Sequence, residues 1–183
     1  MEQFLSFCDT GIPSKVLFIS FILLGIIIIG GLLIKSVKNK WGFALWVILA
    51  EYLFIVVSST LVFRDGIGSS FSRVQVTPFW TYYAVFTHVS GVAFWDIIFN
   101  VVLFIPFGLI LALRYPSLSI WLVLLIGFLF SVCIELSQYI FVKGIAQTDD
   151  VIHNSVGCFW GAYMAKKIQR IVSSRKTKKL ENS

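Results

Sequence analysis

Residues 95–114 (WDIIFNVVLFIPFGLILALR), 121–141 (WLVLLIGFLFSVCIELSQYIF) and 148–167 (TDDVIHNSVGCFWGAYMAKK) decide the fold. Each run is apolar enough to enter a bilayer, and each carries polar side chains near one end. These are Asp96 and Asn100, then Glu135 and Gln138, then Asp149, Asp150 and Asn154. Ionisable and amide groups in lipid are costly, so they face a bundle interior or a wet cavity and point to function.

The rest of the chain agrees with that reading. It has 183 residues, 58% of them hydrophobic and 13% charged, with a mean hydropathy of +0.90. That composition is an integral membrane protein's, not a soluble domain's. Cys8, Cys133 and Cys158 lie far apart. Neither a disulfide framework nor a metal site is indicated, and no cofactor-binding motif is visible. The fold class expected is an all-α integral membrane bundle of about five spans: 16–34, 41–63, 95–113, 118–141 and 149–165, since about 20 residues cross ~30 Å of hydrocarbon. Residues 1–63 hold the first two helices. An aromatic loop, 64–94, follows, and a basic tail, 167–183, closes the chain.

Lys and Arg set the orientation. With the N-terminus outside, eleven of the 15 basic residues fall on the cytoplasmic side, against Lys15, Arg64, Arg73 and Lys143 outside. That is a strong positive-inside bias. The net charge of +6 then belongs to a cytoplasmic tail, not to a nucleic-acid surface. Asn100, Glu135 and Asn154 lie within about 10 Å of the outer surface at ~1.5 Å per residue. Asp150, Asn154, Gly157 and Gly161 are spaced 0, 4, 7 and 11 along the fifth helix, one narrow stripe. Its GxxxG lets a neighbouring backbone approach, so the stripe faces protein and not lipid.

Plainer readings stand beside the functional one. Thr148, Asp149 and Asp150 can cap and charge the start of the fifth helix. Asn100, Gln138 and Asn154 can be interhelical glue. Glu135 needs a partner, water or a raised pKa, and Glu51, near the bilayer centre, needs the same. Pro106 removes an N–H and frees the Val102 carbonyl, which predicts a kink. His88 and His153 have no partners at ligand spacing. Phe71, Phe79, Trp80, Tyr82, Tyr83, Phe86 and Phe94 predict that part of loop 64–94 lies at the headgroup level.

The run Asn100–Gly108 reads N–x5–P–x–G through Pro106, Glu135 and Gln138 read E–x2–Q, and Asp150–Gly161 read D–x3–N–x2–G–x3–G. In order and spacing, with Pro78-Phe79 ahead of them, these blocks resemble the signature of the VanZ family. The resemblance covers 75–166, a VanZ-like domain of three spans, and Arg64 sits where many members carry an arginine. It departs in Gly144, where members often have arginine, and in Gln147, where they often have an acid. The resemblance implies a multi-pass protein of the bacterial cytoplasmic membrane, in a family whose namesake lowers susceptibility to teicoplanin-type glycopeptides in Gram-positive bacteria.

The function expected is non-catalytic binding of an outer-leaflet amphiphile: a membrane lipid, a lipid-linked cell-wall precursor, or a lipoglycopeptide antibiotic. Asn100, Glu135, Gln138, Asp150, Asn154 and Arg64 form the binding set, and Pro106, Gly108, Gly157 and Gly161 shape the backbone. A membrane enzyme acting on a lipid-linked substrate through Glu135 and Asp150, or a small transporter using Glu51, are the alternatives. The orientation is checked by single cysteines labelled with an impermeant maleimide in intact cells. Position 70 should react, and positions 38 and 176 should not; labelling at 38 would reverse the topology.

Overall fold

A computed structural model describes residues 14–33, 39–62, 73–88 and 91–181. Six α-helices carry the described chain: α1 (Ser14–Leu33), α2 (Lys40–Val57), α3 (Trp80–His88), α4 (Gly91–Arg114), α5 (Ile120–Ile140) and α6 (Thr148–Glu181). A π-helical turn, Ser58–Val62, extends α2. Two short strands, β1 (Arg73–Gln75) and β2 (Ile145–Gln147), pair in parallel with Arg73 against Ile145 and Gln75 against Gln147.

Local chemistry sets the element ends. Asn39 caps α2 by accepting the Gly42 N–H on Oδ1 at 2.8 Å. Ser119 caps α5 by accepting the Leu122 N–H at 3.2 Å. At the other end of α5 the Lys143 N–H donates to the Gln138 carbonyl at 2.9 Å and the Val142 N–H to that of Tyr139 at 3.3 Å. This is the two-bond helix stop usually built on a left-handed glycine. Here Val142 takes that conformation, with φ of 54°, a genuine outlier for a β-branched residue.

Three described helices are long and apolar enough to cross a membrane: Lys40–Leu61, Ala93–Arg114 and Ile120–Ile140. Of the five expected spans, the first has a described apolar run of only Ile19–Gly31. The fifth begins with Asp149, Asp150, His153 and Asn154 and continues without a break through the basic residues to Glu181, so its length exceeds its apolar stretch. Pro106 lies inside α4 without interrupting it.

The core lies where α4, α5 and α6 meet, with Phe104, Phe107, Val123, Ile134, Cys158 and Ala162 buried. Phe107 stacks on Phe130 with centroids 5.1 Å apart. The α2 helix joins through Tyr52, whose hydroxyl donates to the Leu103 carbonyl at 2.6 Å. Between α4 and α6 the backbones themselves touch. A Cβ on Gly157 would overlap the Val101 carbonyl oxygen, one on Gly161 that of Ile105, and one on Gly108 that of Cys158. Because lipid is as apolar as leucine, such close packing is what drives helix association in a membrane.

Overpacking of this kind costs typically about 1–3 kcal/mol, and backbone cannot move aside as a side chain can. Gly161→Ala should therefore lower the thermal midpoint of the purified protein clearly. Gly25→Ala, where a Cβ meets nothing within 4 Å, should leave it unchanged. Equal midpoints would mean that α4 and α6 do not pack through these glycines.

Candidate functional site

The polar residues of all three signature blocks gather at one end of the bundle, where α4 and α6 begin and α5 ends. Asn100 donates from Nδ2 to Asp150 Oδ1 at 2.8 Å, tying α4 to α6. Asn154 donates from Nδ2 to Ser131 Oγ at 2.8 Å, tying α6 to α5. Glu135 accepts the Gln147 N–H on Oε2 at 2.9 Å, tying α5 to the strand that leads into α6. Helices α5 and α6 run antiparallel, so the register that sets Ser131 opposite Asn154 also brings Glu135 beside the start of α6. Gln138 lies about two turns, ~10 Å along the axis, beyond Ser131.

Gln138 is 3% exposed, and its Oε1 has no hydrogen-bond partner. Asn154 and His153 are as deeply buried, and Asn154 Oδ1 and His153 Nδ1 are likewise unpartnered. Buried polar atoms nearly always find a partner, so three orphans in one region ask for a ligand or water. Outside this cluster, Glu51 Oε1 in α2 and Arg114 Nε at the opposite end are buried and unpartnered as well.

Asp149 departs from the capping role expected for its own helix. Its Oδ1 accepts the Phe79 N–H at 2.6 Å and its Oδ2 the Thr81 N–H at 2.7 Å, so it caps α3 from a distance of about 70 residues. The physical reason is the same as for a local cap. Free N–H groups at a helix start prefer a carboxylate, and α3 has no acidic residue in its first turn. Thr148 follows suit, donating its hydroxyl to the Val76 carbonyl at 3.3 Å.

His153 also finds a partner that sequence spacing did not reveal. Its Nε2 lies 3.1 Å from the Tyr82 hydroxyl, and the two rings meet edge to face. Burial, and then the Asp149 carboxylate, hold the Tyr82 phenol above its ordinary pKa. The signal in the sequence was the i, i+4 pair Asp149 and His153, which shares a helix face and aims at Thr81 and Tyr82. The aromatic loop is thus pinned over the polar end by Asp149, Thr148, His153 and the β1–β2 pair. Phe79, Trp80, Tyr83 and Phe86 stay exposed, as an interfacial segment requires.

Of the predicted binding set, Arg64 lies outside the described residues, as do residues 64–72 and 89–90 of the loop and the side chains of Arg73 and His88. Asn100, Asp150, Asn154 and Glu135 are bonded as described, and Gln138 is buried beside them. Gly108, Gly157 and Gly161 form the α4–α6 contact. A shallow apolar surface groove, ≈ 360 Å³, lies elsewhere. It runs between α5 and α6 and is lined by Leu124, Phe128, Ile152, Ser155, Val156 and Phe159, none of them in the predicted set. Among the described residues no three His, Cys, Asp or Glu side chains converge as a metal site.

Fold and site together define a helical membrane protein with a buried polar cluster at one end of its bundle, roofed by an aromatic helix. The VanZ/LLP1 family profile matches residues 41–171, more than half of the chain. The chain belongs to that family. It is 32% identical to Protein VanZ of Enterococcus faecium over 88 residues, 43% of this chain and 55% of that protein, so the likeness spans little more than half of the relative's length. No solved structure matches.

A hydrogen bond to a charged group contributes about 1.5–3 kcal/mol, and Asn at 149 would turn a donor toward one of the two N–H groups. Asp149→Asn should raise amide hydrogen exchange at residues 79–81 by roughly ten- to a hundredfold. Exchange in the middle of α5 should not change. Unaltered exchange at 79–81 would show that Asp149 does not hold α3.

Proposed function

We propose that this chain is a multi-pass protein of the bacterial cytoplasmic membrane that binds an outer-leaflet amphiphile without transforming it, and so lowers susceptibility to teicoplanin-type glycopeptides. The amphiphile is a lipid, a lipid-linked wall precursor or the lipoglycopeptide itself. The observation that carries this reading is the set of buried, unpartnered polar atoms, Gln138 Oε1, His153 Nδ1 and Asn154 Oδ1. They lie beneath a helix whose exposed aromatics suit the headgroup region.

In this reading the N-terminus is outside, α1 and the first half of α6 also cross the bilayer, and the polar end faces outward. Arg64 meets an anionic group of the ligand. Binding is favoured over catalysis because the carboxylates already serve the fold. Asp149 holds two backbone N–H groups, Glu135 one, and Asp150 an amide. A general acid or base must instead exchange its proton with substrate.

The test is growth of a Gram-positive host at graded teicoplanin and vancomycin, with membrane abundance measured in parallel. Wild type should raise tolerance to teicoplanin more than to vancomycin, because the former carries a lipid tail. Asn154→Leu removes both hydrogen-bonding functions at similar volume, and Gln138→Leu removes one orphan acceptor that holds no helix. Both should abolish the shift while the protein remains in the membrane. Glu135→Gln keeps an acceptor for the Gln147 N–H and should retain it unless the charge itself meets the ligand. Unchanged susceptibility with wild type at full abundance would end the resistance reading.

A further inference from the structure

Arg114 lies in the last turn of α4, at the end of the bundle away from the polar cluster. A basic residue there ordinarily hydrogen-bonds the last carbonyls of its helix. Here other side chains take those acceptors. Gln169 donates from Nε2 to the Ala112 carbonyl at 2.9 Å, and Lys166 donates from Nζ to that of Pro116 at 2.6 Å. Among the described residues no acceptor engages the Arg114 guanidinium, and its Nε is buried without a partner.

Two rings hold the side chain instead. Arg114 Cζ lies 5.0 Å from the ring centroid of Tyr115 and 5.9 Å from that of Trp46. Those rings meet each other edge to face at 6.0 Å. Contacts of this kind fix a guanidinium without using its donors. The residue stays partly exposed, so a planar fork of N–H groups is held in place and unspent. Such a fork matches two oxygens of a phosphate.

Depth names the source of that phosphate. The crossing run Ala93–Arg114 has 22 residues, and at ~1.5 Å each these cover about the thickness of the hydrocarbon. The Arg114 end therefore lies in a headgroup layer. Exposed Trp41 and Trp121 at the same end mark that layer, as aromatic belts do. We propose that Arg114, clamped by Trp46 and Tyr115, is a binding site for the phosphate of an anionic phospholipid. In the orientation proposed above, this lipid belongs to the cytoplasmic leaflet. A zwitterionic headgroup binds less well, because it brings an ammonium of its own toward the guanidinium. The site is separate from the polar cluster and stands whether or not that cluster takes an amphiphile.

Purified full-length protein in neutral detergent supplies the test. It is titrated with phosphatidylglycerol or phosphatidylcholine, and bound lipids are counted by native mass spectrometry. The first phosphatidylglycerol should bind roughly tenfold more tightly than phosphatidylcholine, what one hydrogen bond between charged groups can supply. Arg114→Gln should remove that preference. Arg114→Lys keeps the charge but loses the fork and the ring contacts, so it should weaken the preference severalfold. Arg170→Gln deletes the same charge from the exposed surface of α6 and should leave it nearly intact. Millimolar inorganic phosphate should not displace the lipid.

Equal affinity for the two lipids in the wild type would overturn the proposal without any variant. Equal losses in Arg114→Gln and Arg170→Gln would overturn it as well, since the attraction would then be diffuse. Displacement by inorganic phosphate would mean that the clamp takes a free anion and not a lipid.

Discussion

The structure depends on one contact, the touching of backbones between α4 and α6. In water a helix pair is held by burying apolar side chains, but in lipid that gain vanishes and close approach must replace it. Gly108, Gly157 and Gly161 permit that approach, each with a carbonyl oxygen where a Cβ would stand. Cys158 completes the junction. Its carbonyl faces Gly108, its sulfur lies against Gly127 of α5, and its thiol donates to the Val123 carbonyl at 3.3 Å. Three helices are thus fixed around a small side chain before any polar group is considered.

The polar end follows from that geometry. Once α4 and α6 touch through Gly157, Asp150 is two turns nearer the end and meets Asn100, while Asn154 meets Ser131 across the other seam. The packing stripe and the polar stripe are one stripe, because the same helix face carries both. Asn154, on that stripe, is buried by its neighbours' closeness and keeps Oδ1 unmatched, and Gln138 of α5 and His153 beside the stripe are likewise buried with polar atoms unmatched.

Much of this was legible in the sequence. The helices over 41–63, 95–113 and 118–141 follow from length and hydropathy, and the α6 stripe from the spacing of Asp150, Asn154, Gly157 and Gly161. The close contact was legible in the GxxxG; the Asn100–Asp150 pairing was not, since it depends on how two helices align. The β1–β2 pair joins three-residue segments far apart in the chain, and strands so short leave no periodicity to read. Asp149 misled for a related reason. A carboxylate at a helix start suits capping wherever the free N–H groups lie, and only the fold reveals that α3 supplies them. Val142 was hidden too, since a left-handed stop is ordinarily announced by glycine.

The order of synthesis gives the ties to α6 a further meaning. Asn100 and Ser131 belong to helices made earlier, yet their hydrogen-bond partners, Asp150 and Asn154, are made later. Gln147, which engages Glu135, also follows them. Until α6 is made, Asn100 and Ser131 therefore lack these partners, and lipid cannot supply them. These two ties therefore form late, and both wait on one helix.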